Sequence, residues 1–279
     1  MCPAPPALAE LQRVRAIVSW RSRLRRALTP RFWVRTPTLA AQTVLQKYSD
    51  ARDVAGFARD NRSGLPAEVL QLVRRYLPRP SPVLVVGCGT GCEALALAQA
   101  GYTITALDLS AAMLAQAQET ASALGVAMTC HIGDVATVTW PDGISSWEMI
   151  YFSGAVYSHI PTTQRRRATL QRLRQWLVSP GFLALDRSFY CAPSRRAWSS
   201  RTLWLDRWRT LRQHVFPWRT FPEPGDRMVP TVSPGSDPHQ PCFVHVFQSA
   251  EEVRNDLRHA GFQPVVEQTD LWLWQVSRS

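Results

Sequence analysis

The sequence has almost no lysine, no long apolar run and no closely paired cysteines. Lys47 is the only lysine among the 32 basic residues, so arginine carries nearly all of the positive charge behind the net +11. No run of eighteen or more apolar residues occurs, which predicts that no helix spans a membrane. No signal-peptide core is visible, and the six cysteines lack Cys-x-x-Cys spacing. These absences predict a protein of the reduced cytoplasm without a metal site.

The positive charge is densest in the first 36 residues, where eight arginines face one acidic residue, Glu10. An amphipathic helix on an anionic membrane and a targeting presequence are two interpretations of this segment. A variable extension packed on the main domain is favoured over both. Elsewhere no compact basic run is interleaved with stacking aromatics, so nucleic acid is not expected as a partner. The expected location is the cytoplasm, with peripheral membrane contact through the basic N-terminus as the alternative.

A glycine-rich stretch near residue 90 organises the rest of the chain. It begins with a short apolar run, Val83 to Val86, which is typical of a strand buried on both faces of a parallel sheet. Gly87, Gly89 and Gly91 follow at alternate positions. Glycine allows a sharp turn and lets the backbone approach a ligand closely. The stretch therefore predicts a ligand-binding turn after a central strand.

An acidic residue ends the next predicted strand. The pattern predicts a helix over Glu93–Ala100 and a second strand over Tyr102–Leu107, followed directly by Asp108. An acid about twenty residues beyond a glycine turn is typical of a nucleoside-binding βαβ unit, in which it binds ribose hydroxyls.

The spacing of these residues resembles the cofactor motifs of the class I S-adenosylmethionine-dependent methyltransferases. The first motif of that superfamily reads much like Val-Leu-Val-Val-Gly-Cys-Gly-Thr-Gly here, and Asp108-Leu109-Ser110 followed by Met113-Leu114 resembles the second. The resemblance covers about residues 64–188 and, more weakly, residues 249–276. A Rossmann unit for another nucleotide and a catalytically inactive copy of the fold are the alternatives.

The resemblance implies a fold and a cofactor. The fold is α/β, a three-layer sandwich around a seven-stranded, mostly parallel sheet of order 3-2-1-4-5-7-6 with the last strand antiparallel. The cofactor is S-adenosylmethionine, with Asp108 on the ribose and Asp134 on the adenine amino group. A turn aspartate is the alternative for Asp134. The residues that the resemblance places around the cofactor are Val86, Gly87, Cys88, Gly89, Thr90, Gly91, Asp108, Leu109, Met113, Asp134, Val135 and Ser153.

The chain is expected to divide into a basic, helical extension over residues 1–63 and a catalytic domain over residues 64–279. An insertion at about residues 189–242 interrupts the alternating strands and helices. Trp204 and Trp208 lie on one helical stripe in it, and seven prolines follow. In the superfamily that the chain resembles, an insertion at this position commonly covers the acceptor pocket.

Three local features are predicted in the second half of the domain. A loop is expected from Gly154 to Pro161, and a helix over Thr162–Leu177 whose basic face is interpreted as a solvated surface. Ser249 and Glu252 form a capping-box pattern at the start of a later helix. Two strands then end the chain, as in the hairpin that closes a methyltransferase sheet.

Methyl transfer from a sulfonium needs positioning above all, and a general base only where the acceptor must lose a proton. The candidates for such a base are His159, His245, His214 and Asp186, of which His159 and His245 are the predicted catalytic residues. His159 follows the fourth strand, and Tyr48 is interpreted as a packed or surface tyrosine that could also line the site. No metal-ligand spacing is evident.

The favoured function is methylation of a small-molecule acceptor, apolar or membrane-associated, because the aromatic insertion offers an apolar cover. Methylation of RNA or protein is a second hypothesis, favoured only by the net charge. A third is binding of S-adenosylmethionine or another nucleotide without catalysis.

Overall fold

A computed structural model of the chain describes residues 36–60, 64–140, 146–189, 211, 222–229, 241–268 and 271–276. Eight helices lie within these ranges. They are α1 (Pro37–Tyr48), α2 (Ala51–Asp60), α3 (Ala67–Tyr76), α4 (Cys92–Gln99), α5 (Ala111–Leu124), α6 (Gly154–His159), α7 (Thr163–Trp176) and α8 (Ala250–His259).

Nine strands lie in the same ranges. They are β1 (Pro82–Val86), β2 (Thr103–Asp108), β3 (Thr129–Ile132), β4 (Trp147–Phe152), β5 (Leu177–Asp186), β6 (Asp226–Val229), β7 (Cys242–His245), β8 (Phe262–Glu267) and β9 (Leu271–Val276). Seven of them form one sheet in the order β3-β2-β1-β4-β5-β9-β8, while β6 and β7 form a separate antiparallel pair. Strands β1 to β5 are parallel, and β9 runs antiparallel to both its neighbours. When only the strands of the large sheet are counted, β8 and β9 are its sixth and seventh strands. The order is then 3-2-1-4-5-7-6 with the seventh strand antiparallel, as predicted.

The sheet is covered by helices on both faces because its central strands are apolar on both faces. Leu84 and Val86 of β1 belong to one buried cluster, which also contains residues of α7 and α8. Val83 and Val85 belong to a second cluster, which contains residues of α3 and α4. Burial of each such side chain contributes about 1.5–3 kcal/mol. The three-layer α/β class is therefore confirmed.

Both ends of α5 are set by capping residues. Ser110 is the N-cap, and its Oγ accepts a hydrogen bond from the Met113 backbone N–H at 3.2 Å. Gly125 ends the helix in the left-handed region, with φ +67°. These two caps place Asp108 and Ser110 at the carboxyl end of β2, where parallel sheets bind ligands.

Two local predictions are wrong. The expected loop after β4 contains the short helix α6. Ser249 makes no side-chain cap at α8, and Glu252 instead accepts the Gln248 backbone N–H at 2.9 Å.

The basic face of α7 is not uniformly solvated. Arg165 is exposed as predicted, but the Arg166 side chain is fully buried. Its guanidinium lies 3.2 Å from a Glu223 oxygen and 3.8 Å from an Asp256 oxygen. A buried guanidinium must be paired, and these two carboxylates lie far from it along the chain, so periodicity could not reveal them.

Residues 1–35 of the predicted extension and most of the insertion lie outside the described residues, including Trp204, Trp208 and His214. Helices α1 and α2 belong to the same compact unit as the rest of the described chain. The predicted boundary at residue 63 stays a prediction. Within the part of the chain that the structure describes, no helix is long and apolar enough to cross a bilayer.

Candidate functional site

A cavity opens at the carboxyl ends of β1, β2 and β3. The turns after these three strands form its floor, while α1 and α2 supply apolar residues from the other side. The lining residues that the argument uses below are Tyr48, Gly87, Gly89, Glu93, Asp108, Ser110, Asp134, Val156, His159 and Arg165. The described fold therefore places one cavity at the edge where open α/β sheets bind ligands.

The glycine turn brings backbone to the cavity because its residues adopt left-handed conformations. Gly87 and Gly89 have φ values of +70° and +54°. A Cβ at Gly87 would overlap the Val156 side chain, whereas a Cβ at Gly89 would meet no protein atom within 4 Å. Gly87 is thus required by packing, and Gly89 leaves open a space that a ligand can use.

Asp108 connects the glycine turn to the end of β2. One carboxylate oxygen accepts the Gly89 backbone N–H at 2.8 Å, and the other accepts the Ser110 N–H at 2.8 Å. Burial raises the pKa of this carboxyl, while the backbone N–H groups of Ser110, Gly89 and Leu109 oppose the rise. Each carboxylate oxygen has a second lone pair, so two further donors can bind here.

Asp134 follows β3, where it both stabilises a turn and lines the cavity. One of its oxygens accepts the Ala136 backbone N–H at 2.8 Å, which is the turn role that the alternative interpretation assigned to it. Asp134 also lines the cavity, so its second oxygen fits an external donor such as an amino group.

The N-terminal helices form the apolar side of the cavity. The residues that they contribute are Ala41, Val44, Leu45, Tyr48 and Phe57. The Ser110 hydroxyl donates to the Tyr48 carbonyl at 2.7 Å, so the end of α1 is held directly over the end of β2. The Tyr48 ring also packs against Phe57, with centroids 5.7 Å apart.

His159 lines the cavity, but both its ring nitrogens are engaged. Nδ1 lies 2.6 Å from the Phe243 carbonyl oxygen, which can only accept, so this nitrogen carries the proton. Nε2 then accepts from the Tyr48 hydroxyl, 2.8 Å away. Burial lowers the pKa of His159 to about 4, and Lys47 contributes to the lowering. A neutral imidazole with a hydrogen bond at each ring nitrogen fits a positioning role better than that of a base.

His245, the other predicted catalytic residue, does not line the cavity. Its Nδ1 lies 2.8 Å from an Asp226 oxygen and its Nε2 lies 3.2 Å from a Glu252 oxygen. Burial lowers the pKa of His245, but the hydrogen bonds to Asp226 and Glu252 raise it by more. The net shift of its pKa is therefore upward. The alternating pattern of β7 indicates a polar residue at a buried position. It does not indicate which groups this residue contacts, so the sequence could not show that His245 lies away from the cavity.

Glu223, Asp226 and His245 lie close enough to hold a metal ion, but their contacts do not fit one. Glu223 already accepts from the Thr163 N–H and hydroxyl and from Arg166. Since the donor atoms are used and the buried Arg166 supplies positive charge, the group is a buried ion-pair cluster. This cluster joins β6 and β7 to α7 and α8.

All but one of the twelve predicted cofactor residues line the cavity. The exception is Gly91, the N-cap of α4, where a Cβ would lie 3.1 Å from Ala117 Cβ and 3.1 Å from Leu95 Cδ1. Gly91 thus allows α4 to pack on α5. Ser153, at the end of β4, is in the lining and makes no side-chain cap to α6.

Sequence reasoning missed Glu93 as a site residue. It occupies the first turn of α4 and lines the cavity. Burial raises its pKa to about 7, and the charge of Asp186 adds to the rise. Its position two residues after the last glycine of the turn was the available signal, because α4 starts at the sheet edge that binds ligands.

S-adenosylmethionine fits this arrangement. The open space at Gly89 is where backbone approaches a ligand, and the two Asp108 oxygens match a pair of ribose hydroxyls. Asp134 offers an acceptor at the end of β3, and the apolar side formed by α1 and α2 suits a base and an alkyl chain.

Comparison with known proteins agrees with this fit. Residues 83–181 match the family described as a methyltransferase domain. A protein of Geobacillus sp. (strain WCH70), named as a methyltransferase, is 32% identical over 104 residues, which are 37% of this chain. The chain spans only about 41% of the length of that relative.

Two solved structures show the same fold at low identity. One is an amino pentose methyltransferase of Micromonospora echinaspora, CalS10, with bound S-adenosylmethionine. It has a TM-score of 0.54 and 18% identity, over 80% of this chain and 97% of that one. The other is the [4+2]-cyclase SpnF, with a TM-score of 0.53 and 18% identity, over 81% of this chain and 75% of that one.

Proposed function

We propose that this chain, whose residues 83–181 match the methyltransferase domain family, transfers the methyl group of S-adenosylmethionine to a small-molecule acceptor. The observation that carries the proposal is the geometry of Asp108. Its carboxylate is held by one N–H from the glycine turn and one from the N-cap of α5, inside the cavity. This arrangement prepares two acceptors at a fixed separation for a ribose.

The residues of the chain bind and enclose the reactants in this proposal. S-adenosylmethionine supplies an activated methyl group when it is bound. Asp108 and Asp134 hold its nucleoside, and Gly89 leaves room for the chain that follows. Helices α1 and α2 exclude water from the cavity, and Tyr48 and His159 hold α1 in place. Positioning of this kind can lower the activation barrier by roughly 7–11 kcal/mol.

A small-molecule acceptor is supported by the enclosure of the cavity and by the neighbours. Apolar residues of α1 and α2 cover the side opposite the glycine turn, and a mostly apolar lining is typical of small-molecule pockets. CalS10 acts on an amino pentose according to its name. The net charge of +11 is the feature that favours RNA or protein as acceptor.

The insertion is proposed to cover the acceptor side. The strand that directly follows it, β7, contacts elements that line the cavity, because the Phe243 N–H donates to Thr43 Oγ1 on α1 at 3.1 Å and the Phe243 carbonyl accepts from His159. Truncation of Trp204 or Trp208 to alanine should then leave cofactor affinity unchanged in a folded variant and lower turnover. Loss of cofactor binding would assign the insertion to the cofactor side.

The test of the function combines binding with a survey of acceptors. Calorimetry should show that S-adenosylhomocysteine binds, and that the Asp108→Asn variant binds it more weakly. Radiolabelled S-adenosylmethionine is then incubated with the protein and separate pools of small metabolites, RNA and protein. Label in the small-molecule pool supports the proposal, while label in RNA or protein replaces the proposed acceptor class.

A second candidate is a protein that binds the cofactor without transferring its methyl group. SpnF, a cyclase by its name, has the same fold. Because that fold also occurs in a cyclase, fold alone does not determine the reaction. Binding of S-adenosylhomocysteine together with no label in any pool would favour this candidate.

A further inference from the structure

Glu93 is a carboxylic acid in the cavity to which the proposed reaction assigns no task. It lies in the first turn of α4, directly after the glycine turn, and is half-buried. No backbone or side-chain group of another described residue donates a hydrogen bond to its carboxyl group, and no described cation pairs with it. A half-buried acid without a partner is costly to ionise, so its place in a ligand cavity needs an explanation.

The surroundings of Glu93 add negative charge. Asp186 ends β5 on the same face of the sheet as Ala184, which packs in the cluster that contains Ala94 of α4. Asp186 accepts from the Gly154 N–H at 3.0 Å and from Ser188, and no described cation pairs with it either. The other titratable groups that interact with Glu93 are Tyr151 of β4 and Cys88 of the glycine turn.

The acids of the cavity match the donor groups of the proposed cofactor one for one. Asp108 suits the ribose hydroxyls and Asp134 suits the adenine amino group. Glu93 is the remaining acidic residue in the lining, and the remaining donor is the ammonium group of the methionine portion. The basic residue of the lining, Arg165, is exposed and belongs to α7, so it does not neutralise the start of α4.

We propose that Glu93 binds the α-ammonium group of the cofactor and that binding of the cofactor expels a proton from Glu93 to solvent. The inference rests on the proposed function. Without ligand, the carboxyl group is partly protonated near neutral pH. When the ammonium arrives, the carboxylic acid releases its proton to the buffer, and the carboxylate and the ammonium form a charge-assisted pair. No bond other than O–H is broken.

The first experiment uses the unmodified protein. S-adenosylhomocysteine is titrated by calorimetry at pH 7 in phosphate and in Tris, whose ionisation enthalpies differ. The ligand is still mostly protonated at this pH, since α-amino groups titrate at about 7.7–8.0. The expected result is release of about half a proton per site. 5′-Methylthioadenosine, which lacks the ammonium, should bind without proton release.

The second experiment removes the charge. Glu93→Gln should weaken the binding of S-adenosylhomocysteine by about 10-fold or more and abolish the proton release. It should leave the affinity for 5′-methylthioadenosine unchanged. Glu119→Gln is the matched control, because Glu119 is exposed on α5 and does not line the cavity. This control variant should change the affinity for neither ligand.

The outcomes separate this inference from the proposed function. If S-adenosylhomocysteine binds the unmodified protein without proton release, the inference is overturned and the function stands. Equal weakening of both ligands by Glu93→Gln would also overturn it, because a general loss of cavity shape would then explain the effect. If neither ligand binds the unmodified protein, both proposals fail.

Discussion

The Tyr48 hydroxyl lies 2.8 Å from Nε2 of His159, although 111 positions separate them in the chain. The Phe243 carbonyl fixes the His159 tautomer, so Tyr48 must be the donor and the ring nitrogen the acceptor. This bond joins α1 to the helix that follows β4. Together with the bond from Ser110 to the Tyr48 carbonyl, it holds α1 over the cavity.

Tyr48→Phe should loosen this cover. The variant removes the hydrogen bond that Tyr48 donates to Nε2 of a buried, neutral histidine, which costs about 1–3 kcal/mol. We expect a lower free energy of unfolding in urea and a weaker affinity for S-adenosylhomocysteine, since α1 lines the cavity.

Tyr102→Phe is the matched control for that variant. The Tyr102 hydroxyl donates to the Leu77 carbonyl at 3.1 Å in a buried region that does not border the cavity. This change should lower stability and leave ligand affinity intact. An unchanged affinity in Tyr48→Phe would show that α1 does not depend on this hydrogen bond.

Alanine at Gly89 should impair ligand binding more than stability. The left-handed conformation costs about 1–2 kcal/mol for a residue with a Cβ, and the new methyl enters the open cavity, where it meets no protein atom. Gly125→Ala has the same conformational cost and open space at the end of α5, so it should lower the melting temperature and leave affinity unchanged.

Alanine at Gly87 should have the opposite balance. Its Cβ would overlap Val156, so the packing of α6 against the turn must shift. Overpacking of this kind costs about 1–3 kcal/mol in addition to the conformational cost. Thermal melting of the two variants side by side tests the contrast, and a more stable Gly87→Ala than Gly89→Ala would contradict it.

Asp108→Asn should weaken binding of S-adenosylhomocysteine by roughly 10- to 100-fold, the equivalent of a charged hydrogen bond of about 1.5–3 kcal/mol. The amide keeps one acceptor but places an NH₂ group against the Gly89 or Ser110 N–H. Calorimetry measures the change. Asp50→Asn, an acid near the N-terminus of α2 that does not line the cavity, is the control and should bind normally.

His245 should make stability fall at alkaline pH. Its pKa in the folded state is raised, because its bonds to Asp226 and Glu252 outweigh burial. Its contribution is therefore fully present below the unfolded pKa of about 6.5. That contribution is lost as the pH rises through the higher folded value.

Urea unfolding of the unmodified protein and of His245→Gln across this range tests the sign. The difference in unfolding free energy should be largest near pH 6 and should shrink as the pH rises. A difference that grew with pH would mean that His245 is buried as a neutral ring.

The order of the main sheet and the cofactor floor could be predicted because they depend on short-range patterns. The apolar run of β1, the glycine spacing and Asp108 lie within 26 consecutive positions, and each has a local conformational meaning. Capping of α5 by Ser110 and Gly125 is likewise a property of neighbouring residues. These signals survive folding because few tertiary contacts compete with them.

The roles of the polar residues were decided by tertiary structure. His159 and His245 look alike in sequence, but one faces a carbonyl and a tyrosine while the other faces two carboxylates. Arg166 follows Arg165 directly on α7, but it is buried where Glu223 and Asp256 meet it across the fold. Protonation and burial depend on groups that are distant along the chain, and composition or periodicity carries no record of those partners. The sequence by itself thus determined the sheet and the cofactor turn, while folding determined which acids, histidines and arginines are charged, paired or open to a ligand.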